Sequence, residues 1–263
     1  MTGYVIVEPT GATKTSSSYT TITTDLGTAA TPITTTAVTA KSGVMGTVSV
    51  IYPTPVTTCG NAGIKYAMYS NSWAGSQGPS GYPAFTPQAY KTVKPTATGT
   101  ATYMGESNPS GTPVTIYGRT KVTADTLVMD HTFYFFAGHG TGYYSFNIPY
   151  ADDVMFTWIG SKALSGWTRA NADLMNYWYS GIQNASPSTI AYYLTQGSYT
   201  PIRVQWANGG GDGNLQFNIY NPDGSYSLSS TLWANSGYMS PDIVTQPCNS
   251  SLGAAFPAWG SET

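Results

Sequence analysis

Apolar and polar residues alternate one by one in several stretches of this chain. In "PIRVQWAN", Ile202, Val204 and Trp206 fall on one side, and Arg203 and Gln205 on the other. A period of two is that of a β-strand, whose successive side chains point to opposite faces. The pattern makes Trp206 a core residue. In "DVMFTWIG", Val154, Phe156 and Trp158 share one face, with Met155 and Ile159 opposite. A strand that is apolar on both faces belongs inside a sandwich. Further strand segments are "IKYAMYS", "GTATYMGE", "PVTIYGRT", "HTFYFFAG", "GYYSFNIP", "STIAYYLT", "LQFNIYNP" and "STLWANS". Turn residues separate them at Asn108-Pro109-Ser110-Gly111, Gly209-Gly210-Gly211 and Asn221-Pro222-Asp223-Gly224. Only "KALSGWTRANADLMNYWYSG" hints at helical spacing. The pattern predicts an all-β fold, a β-sandwich or barrel over residues 59–249, with 250–263 as a short exposed tail.

Residues 1–58 read differently. They hold no Cys, Trp, Phe or His, and Thr dominates them. Gly3-Tyr4-Val5-Ile6-Val7-Glu8-Pro9-Thr10 is echoed by Gly46-Thr47-Val48-Ser49-Val50-Ile51-Tyr52-Pro53-Thr54, with one residue inserted. A recurring strand followed by Pro-Thr predicts a Thr-rich stalk repeat, either a short β unit or an extended spacer.

Composition narrows the function. Charged residues make up only 8% of the 263, against about 25% in typical soluble domains. The ten Lys and Arg are scattered singly, so no basic stripe suits a nucleic-acid partner. No apolar run approaches the ~20 residues that span a bilayer, and no signal-peptide pattern opens the chain. We read the chain as part of a longer secreted protein. Scarce Lys and abundant Ser and Thr suit an extracellular setting, where Cys59 and Cys248 are expected to pair. Closing so long a loop would stabilise the fold by roughly 4–5 kcal/mol in a chain-entropy account. Asn184 and Asn249 each begin an N-glycosylation tripeptide.

The candidate chemistry starts at Asp152-Asp153, two of only 12 acidic residues, adjacent at the mouth of a buried strand. One reading is a surface turn in which each carboxylate is solvated. The other pairs them with "ANGGGDGN", residues 207–214, which follows the "PIRVQW" strand. Consecutive glycines let a loop turn its carbonyls inward. Carboxylates, Asn side chains and carbonyls are the hard oxygen donors that calcium takes, six to eight at about 2.3–2.6 Å. A trans peptide in an extended chain does not easily let both aspartates face one ion, whereas a cis peptide between them would.

These segments, with "AGIKYAMYSN" at 62–71, resemble the GLEYA lectin domain of fungal cell-wall adhesins (flocculins), a branch of the protective-antigen (PA-fourteen) type of β-sandwich. The resemblance covers roughly Cys59 to Cys248. It implies a calcium-dependent, sugar-binding adhesin outside the cell, on the wall. It implies Asp152 and Asp153 as cis-linked calcium ligands, Asn208 as the side-chain ligand, and backbone carbonyls of Gly210 and Asp212 completing the protein's share. Asp152, Asp153, Asn208, Gly211, Asp212 and Asn214 would meet the sugar. Trp178 or Trp167 would offer a ring as platform. The partners expected are cell-surface glycans, galactose-type first, then mannose and N-acetylglucosamine. The head would be monomeric and gain avidity from many copies.

Two other classes compete. A structural wall protein could self-associate through sheet edges without sugar specificity. A glycoside hydrolase would need two carboxylates about 5–9.5 Å apart in different environments. Only three glutamates exist, Glu8, Glu106 and Glu262, two of them in the terminal segments. His131 and His139 show no zinc spacing and read as strand-end residues. We therefore expect a binding protein and not an enzyme.

Overall fold

The computed structural model describes residues 4–9, 46–73, 85–179, 182–185, 188–231 and 234–263. Strands and their turns make up nearly all of it, and two antiparallel sheets face each other. The larger runs, edge to edge, through Ile182–Ala185, Leu174–Tyr179, Val154–Ile159, Tyr199–Ala207, Leu127–Phe136, Ile64–Ser70 and Ala97–Ala101, with Ile243–Val244 also on Leu127–Phe136. The smaller runs through Thr189–Leu194, Gly142–Asn147, Asn218–Tyr220, Tyr226–Ser230 and Gly237–Met239. Met129, Phe133, Phe135, Val204 and Trp206 from the larger sheet meet Tyr144, Phe146, Ile219 and Leu228 from the smaller. The all-β sandwich expected from alternation is what the chain forms. Each large side chain sealed there contributes about 1.5–3 kcal/mol of transfer free energy.

The outer face of the larger sheet is covered too. Val154, Phe156 and Trp158 pack with Tyr69, Phe85, Tyr90 and Trp167 in a second cluster. This corrects the expectation of an exposed tail. Phe256 and Trp259 pack against the same cluster, and Glu262 is buried. The reason is electrostatic. Arg203 alternates onto this outer face and is fully buried, so its charge needs partners. Asp130 and Glu262 supply them, the latter at 2.7 Å, and Trp167 donates its indole N–H to Glu262 at 2.8 Å. Trp167 is thus a packing residue with no exposed ring to offer a sugar.

Other local expectations shift. "PVTIYGRT" is not one strand but a hairpin of Val114–Ile116 and Arg119–Val122. The helical hint yields one α-turn, Ser161–Leu164, and one 3-10 turn, Arg169–Asn171, before the Leu174–Tyr179 strand begins. His131 lies inside the Leu127–Phe136 strand, fully buried, with Nε2 at 2.9 Å from the Tyr117 hydroxyl. A longer strand than the sequence pattern suggested places it there. Cys59 and Cys248 are bonded. Tyr4–Pro9 and Gly46–Ile51, the two echoed segments, pair antiparallel with each other; the residues between them lie outside those described. Tyr52 already reaches the sandwich, stacking on His139 and bonding Asp223.

Candidate functional site

A small third sheet joins Ala151–Asp152, Gly213–Leu215 and Glu106–Asn108 at one end of the sandwich. It ties the two sequence-predicted segments together directly, because Asp152 pairs with Asn214 across the ladder. The peptide bond Asp152–Asp153 is cis. Both side chains are nearly buried, at 7% and 3% exposure, and their carboxyl groups lie within hydrogen-bond reach of each other. The main chain around them is fixed by the neighbouring strand: the Trp206 indole N–H donates to the Asp152 carbonyl at 2.8 Å, and the Asp153 N–H to the Ala207 carbonyl at 3.3 Å.

The glycine loop closes over the pair. Gly209 donates its N–H to Asp153 Oδ2 at 2.7 Å. Asn208 shapes the loop from inside: its Oδ1 accepts from Gly210 N at 2.9 Å, while its Nδ2 donates to the carbonyl of Asp212 at 3.2 Å. An Asn that bonds the backbone two residues on is a local turn device. Gly210 and Gly211 have φ of 139° and 79°, a region that side-chain-bearing residues rarely occupy. Gly213 is needed for space, since a Cβ there would sit 2.5 Å from Asn208 Nδ2.

Burial, the hydrogen bond with Asp153, and the charges of Asp153 and Asp212 raise the pKa of Asp152 well above the carboxylate range. Burial and then the charge of Asp152 do the same to Glu106, whose two oxygens have no hydrogen-bond partner among the described residues. No described Lys, Arg or His forms an ion pair with Asp152. Acidic groups are therefore crowded together, with no cationic side chain paired to Asp152 among the described residues. The donor set fits a hard divalent cation: two carboxylates, an Asn oxygen with a second lone pair, and backbone carbonyls. Among the described residues no three His, Cys, Asp or Glu side chains group as metal ligands, so Asn208 and the loop carbonyls would have to complete any shell.

The remaining predicted residues divide. Asp212 lies close enough for its charge to act on Asp152, and its Oδ1 accepts from Ser110 N at 2.8 Å. Trp178 adjoins the pair through its N–H, which donates to the Asp153 carbonyl at 2.8 Å, and its side chain is half-buried. Asn214 is fully buried and accepts from Gln216, so it sits within the ladder and not on an open rim. Asn249 is exposed, with its Oδ1 capping the turn at Ser251; Asn184 lies in the Ile182–Ala185 strand, its side chain outside those described. The sequence did not single out Asn71, which donates to the Asn208 carbonyl at 2.7 Å, nor Tyr150, whose hydroxyl senses Asp152, Asp212 and Asp153. Tyr150 was findable by adjacency and Asn71 as the end of the 62–71 segment; Glu106 carried no signal.

Residues 127–221 match the model of the GLEYA domain. The chain is 30% identical over 216 residues to "Putative cell agglutination protein pfl4" of Schizosaccharomyces pombe, covering 69% of this chain and 34% of that protein. It is 34% identical over 84 residues to "Putative cell agglutination protein pfl8" of the same yeast, covering 32% of this chain and 22% of that one. The chain therefore spans about a third or less of the length of these relatives. Among solved structures it is similar to the Epithelial Adhesin 9 A domain of Candida glabrata in complex with Galb1-4GlcNAc, at 18% identity and TM-score 0.49, over 67% of this chain and 90% of that one. It is also similar to the PA14 domain of the MpAFP antifreeze protein, at 16% identity and TM-score 0.40, over 69% and 89%.

Proposed function

We propose, from the match of residues 127–221 to the GLEYA domain, that the chain is the carbohydrate-binding head of a cell-surface agglutination protein, with a calcium ion held by Asp152, Asp153, Asn208 and carbonyls of the Gly210–Asp212 loop. One observation carries the reading: the buried Asp152–Asp153 pair, with carboxyls in contact, is bonded directly to the loop that starts at Asn208. The GLEYA match and the agglutination-protein relatives support a binding protein over an enzyme.

Bound there, calcium would accept sugar hydroxyls into its shell and polarise them. The protein's own part is to orient. Gly209 fixes the rotamer of Asp153, and Trp206 fixes the main chain of Asp152. Asp212 and Gly211, exposed at the loop's outer turn, would contact the sugar and select its stereochemistry, with Trp178 at the flank. The glycines leave the rim without bulky side chains, which suits a terminal sugar. A galactose-type sugar is the first to test, before mannose and N-acetylglucosamine. Such a contact buries little area and is weak singly; many copies on a wall would raise adhesion through effective concentration.

A glycan array probed with and without a chelator tests this. Binding to one class of terminal sugar, abolished by chelation and restored by calcium, is expected. Chelator-resistant binding of neutral terminal sugars would overturn the calcium site, and clumping indifferent to both sugar and chelator would replace this reading with self-association through sheet edges.

A further inference from the structure

A groove of about 610 Å³ runs along the outer edge of the larger sheet, lined by Lys94, Thr96, Thr98, Arg119 and Trp259. We propose that it is a second, cation-independent site for an anionic sugar, one bearing a phosphate or a carboxylate. It is distinct from the paired-aspartate site. The strand Ala97–Ala101 lies four strand spacings from Val154–Ile159, about 19 Å at the usual separation.

Charge is the first argument. The chain has only ten Lys and Arg, yet Lys94 and Arg119 line this groove and no acidic residue does. Among the described residues, ion pairs engage Lys162 and Arg203 but neither Lys94 nor Arg119. Two exposed cations without a counterion, in a chain with so few, favour an anionic ligand.

Arg119 is also held in place. The turn Tyr117-Gly118 has φ of 49° and 78°, the positive values that a two-residue hairpin turn requires. That turn delivers Arg119 over the strand edge, where its Nε donates to the Tyr66 hydroxyl at 3.0 Å and its Nη2 to the Thr98 carbonyl at 2.8 Å. Of five guanidinium N–H groups, two are thereby used and three remain for a ligand. A fork fixed on one side and open on the other is pre-organised for a phosphate or carboxylate.

The rest of the groove fits a sugar better than a peptide. Trp259 is partly exposed and rests on Arg203 at 5.3 Å, so it offers a fixed aromatic edge for a pyranose ring. Thr98 is exposed and can offer its hydroxyl, while Thr96 donates its own to the Met68 carbonyl at 3.0 Å and holds that edge in place. An added β-strand would need the carbonyls of Ala97–Ala101, and Arg119 already occupies that of Thr98.

Calorimetry of the whole chain in EDTA, with glucose 6-phosphate, glucuronic acid, glucose and inorganic phosphate, tests the assignment. Saturable binding of glucose 6-phosphate or glucuronic acid is expected; which of the two binds tighter tells phosphate from carboxylate. Lys94→Gln and Arg119→Gln should each weaken it by about tenfold, the loss of one charge-assisted bond. Lys94→Gln touches no described partner and so guards against a folding artefact. Asp153→Asn should leave this binding intact, which separates it from failure of the calcium site. Equal affinity for glucose, equal affinity for inorganic phosphate, no binding, or no effect of either variant would overturn the proposal. So would dimerisation that Lys94→Gln abolishes, because it would make the edge an interface.

Discussion

Gly209 donates its backbone N–H to Asp153 Oδ2 at 2.7 Å, across 56 residues of chain. This bond joins two segments that are each ambiguous alone. It gives Asp153 a fixed direction, and it makes the glycine loop depend on an acid in another strand.

Asp153→Asn tests what the charge does there. Asparagine keeps an acceptor for Gly209 but removes a negative charge from a crowded pair. Wild-type protein should gain about 2.7 kcal/mol of stability when calcium reaches a hundred times its Kd. The variant should gain nothing, and its ion-free melting temperature should equal or exceed that of wild type. Thermal melts with and without calcium read both. A calcium response retained in the variant would remove Asp153 from the ligand set.

Gly213→Ala tests the loop from below. The new Cβ would meet Asn208 Nδ2 at 2.5 Å and a Trp206 ring carbon at 3.0 Å. The Asn208 carboxamide must move, because the indole is locked to Asp152. Calcium affinity should fall by tenfold or more, while overpacking costs about 1–3 kcal/mol of stability. Titration calorimetry beside circular dichroism separates the two effects.

Glu262→Ala tests the tail. Arg203 would keep Asp130 but lose the partner at 2.7 Å, inside a cage of Trp167 and Trp259 rings. Removing one partner of a buried ion pair costs about 3–5 kcal/mol. Denaturant unfolding should show that loss, with sugar binding preserved in whatever fraction stays folded. A change within about 0.5 kcal/mol, as for an ordinary surface site, would return residues 250–263 to the status of a loose end.

His131 predicts a pH dependence. Burial lowers its pKa from 6.5 to about 4. The folded state therefore holds a neutral ring while the unfolded chain takes up a proton. The stabilising effect is complete above 6.5 and is lost as pH falls towards about 4. Melting temperatures of wild type and His131→Gln should converge over that window on acidification. Parallel pH profiles would exclude the histidine as their source.

Much of this was legible along the chain. The alternation in 153–160 and 201–206 identified strands, the buried faces and Trp206 as core, because a period of two is a local property. The Asn208-Gly-Gly-Gly spacing announced a loop with inward carbonyls for the same reason. Three things were not local. Arg203 and Gln205 read only as the polar side of their strand, and only the tail folding back gave Arg203 its partner Glu262 and a buried environment. Trp167 looked available as a platform until that same carboxylate claimed its indole N–H. Glu106 carried no pattern at all. Its place near Asp152 follows from the Gly213–Leu215 strand, which pairs with both their strands.

The sequence by itself determined which residues could be strand, turn or hard oxygen donor, since those depend on neighbours two or three positions away. It also determined that Asp152 and Asp153 needed something to offset their charge. The tertiary structure alone decided which donors met them. Asp153 and Gly209 come together because Val154–Ile159 and Tyr199–Ala207 are antiparallel neighbours, with Val154 opposite Ala207, so the end of one strand adjoins the start of the other. Long-range pairing of that kind is set by how the whole sheet buries its two faces, and no short window of residues contains it.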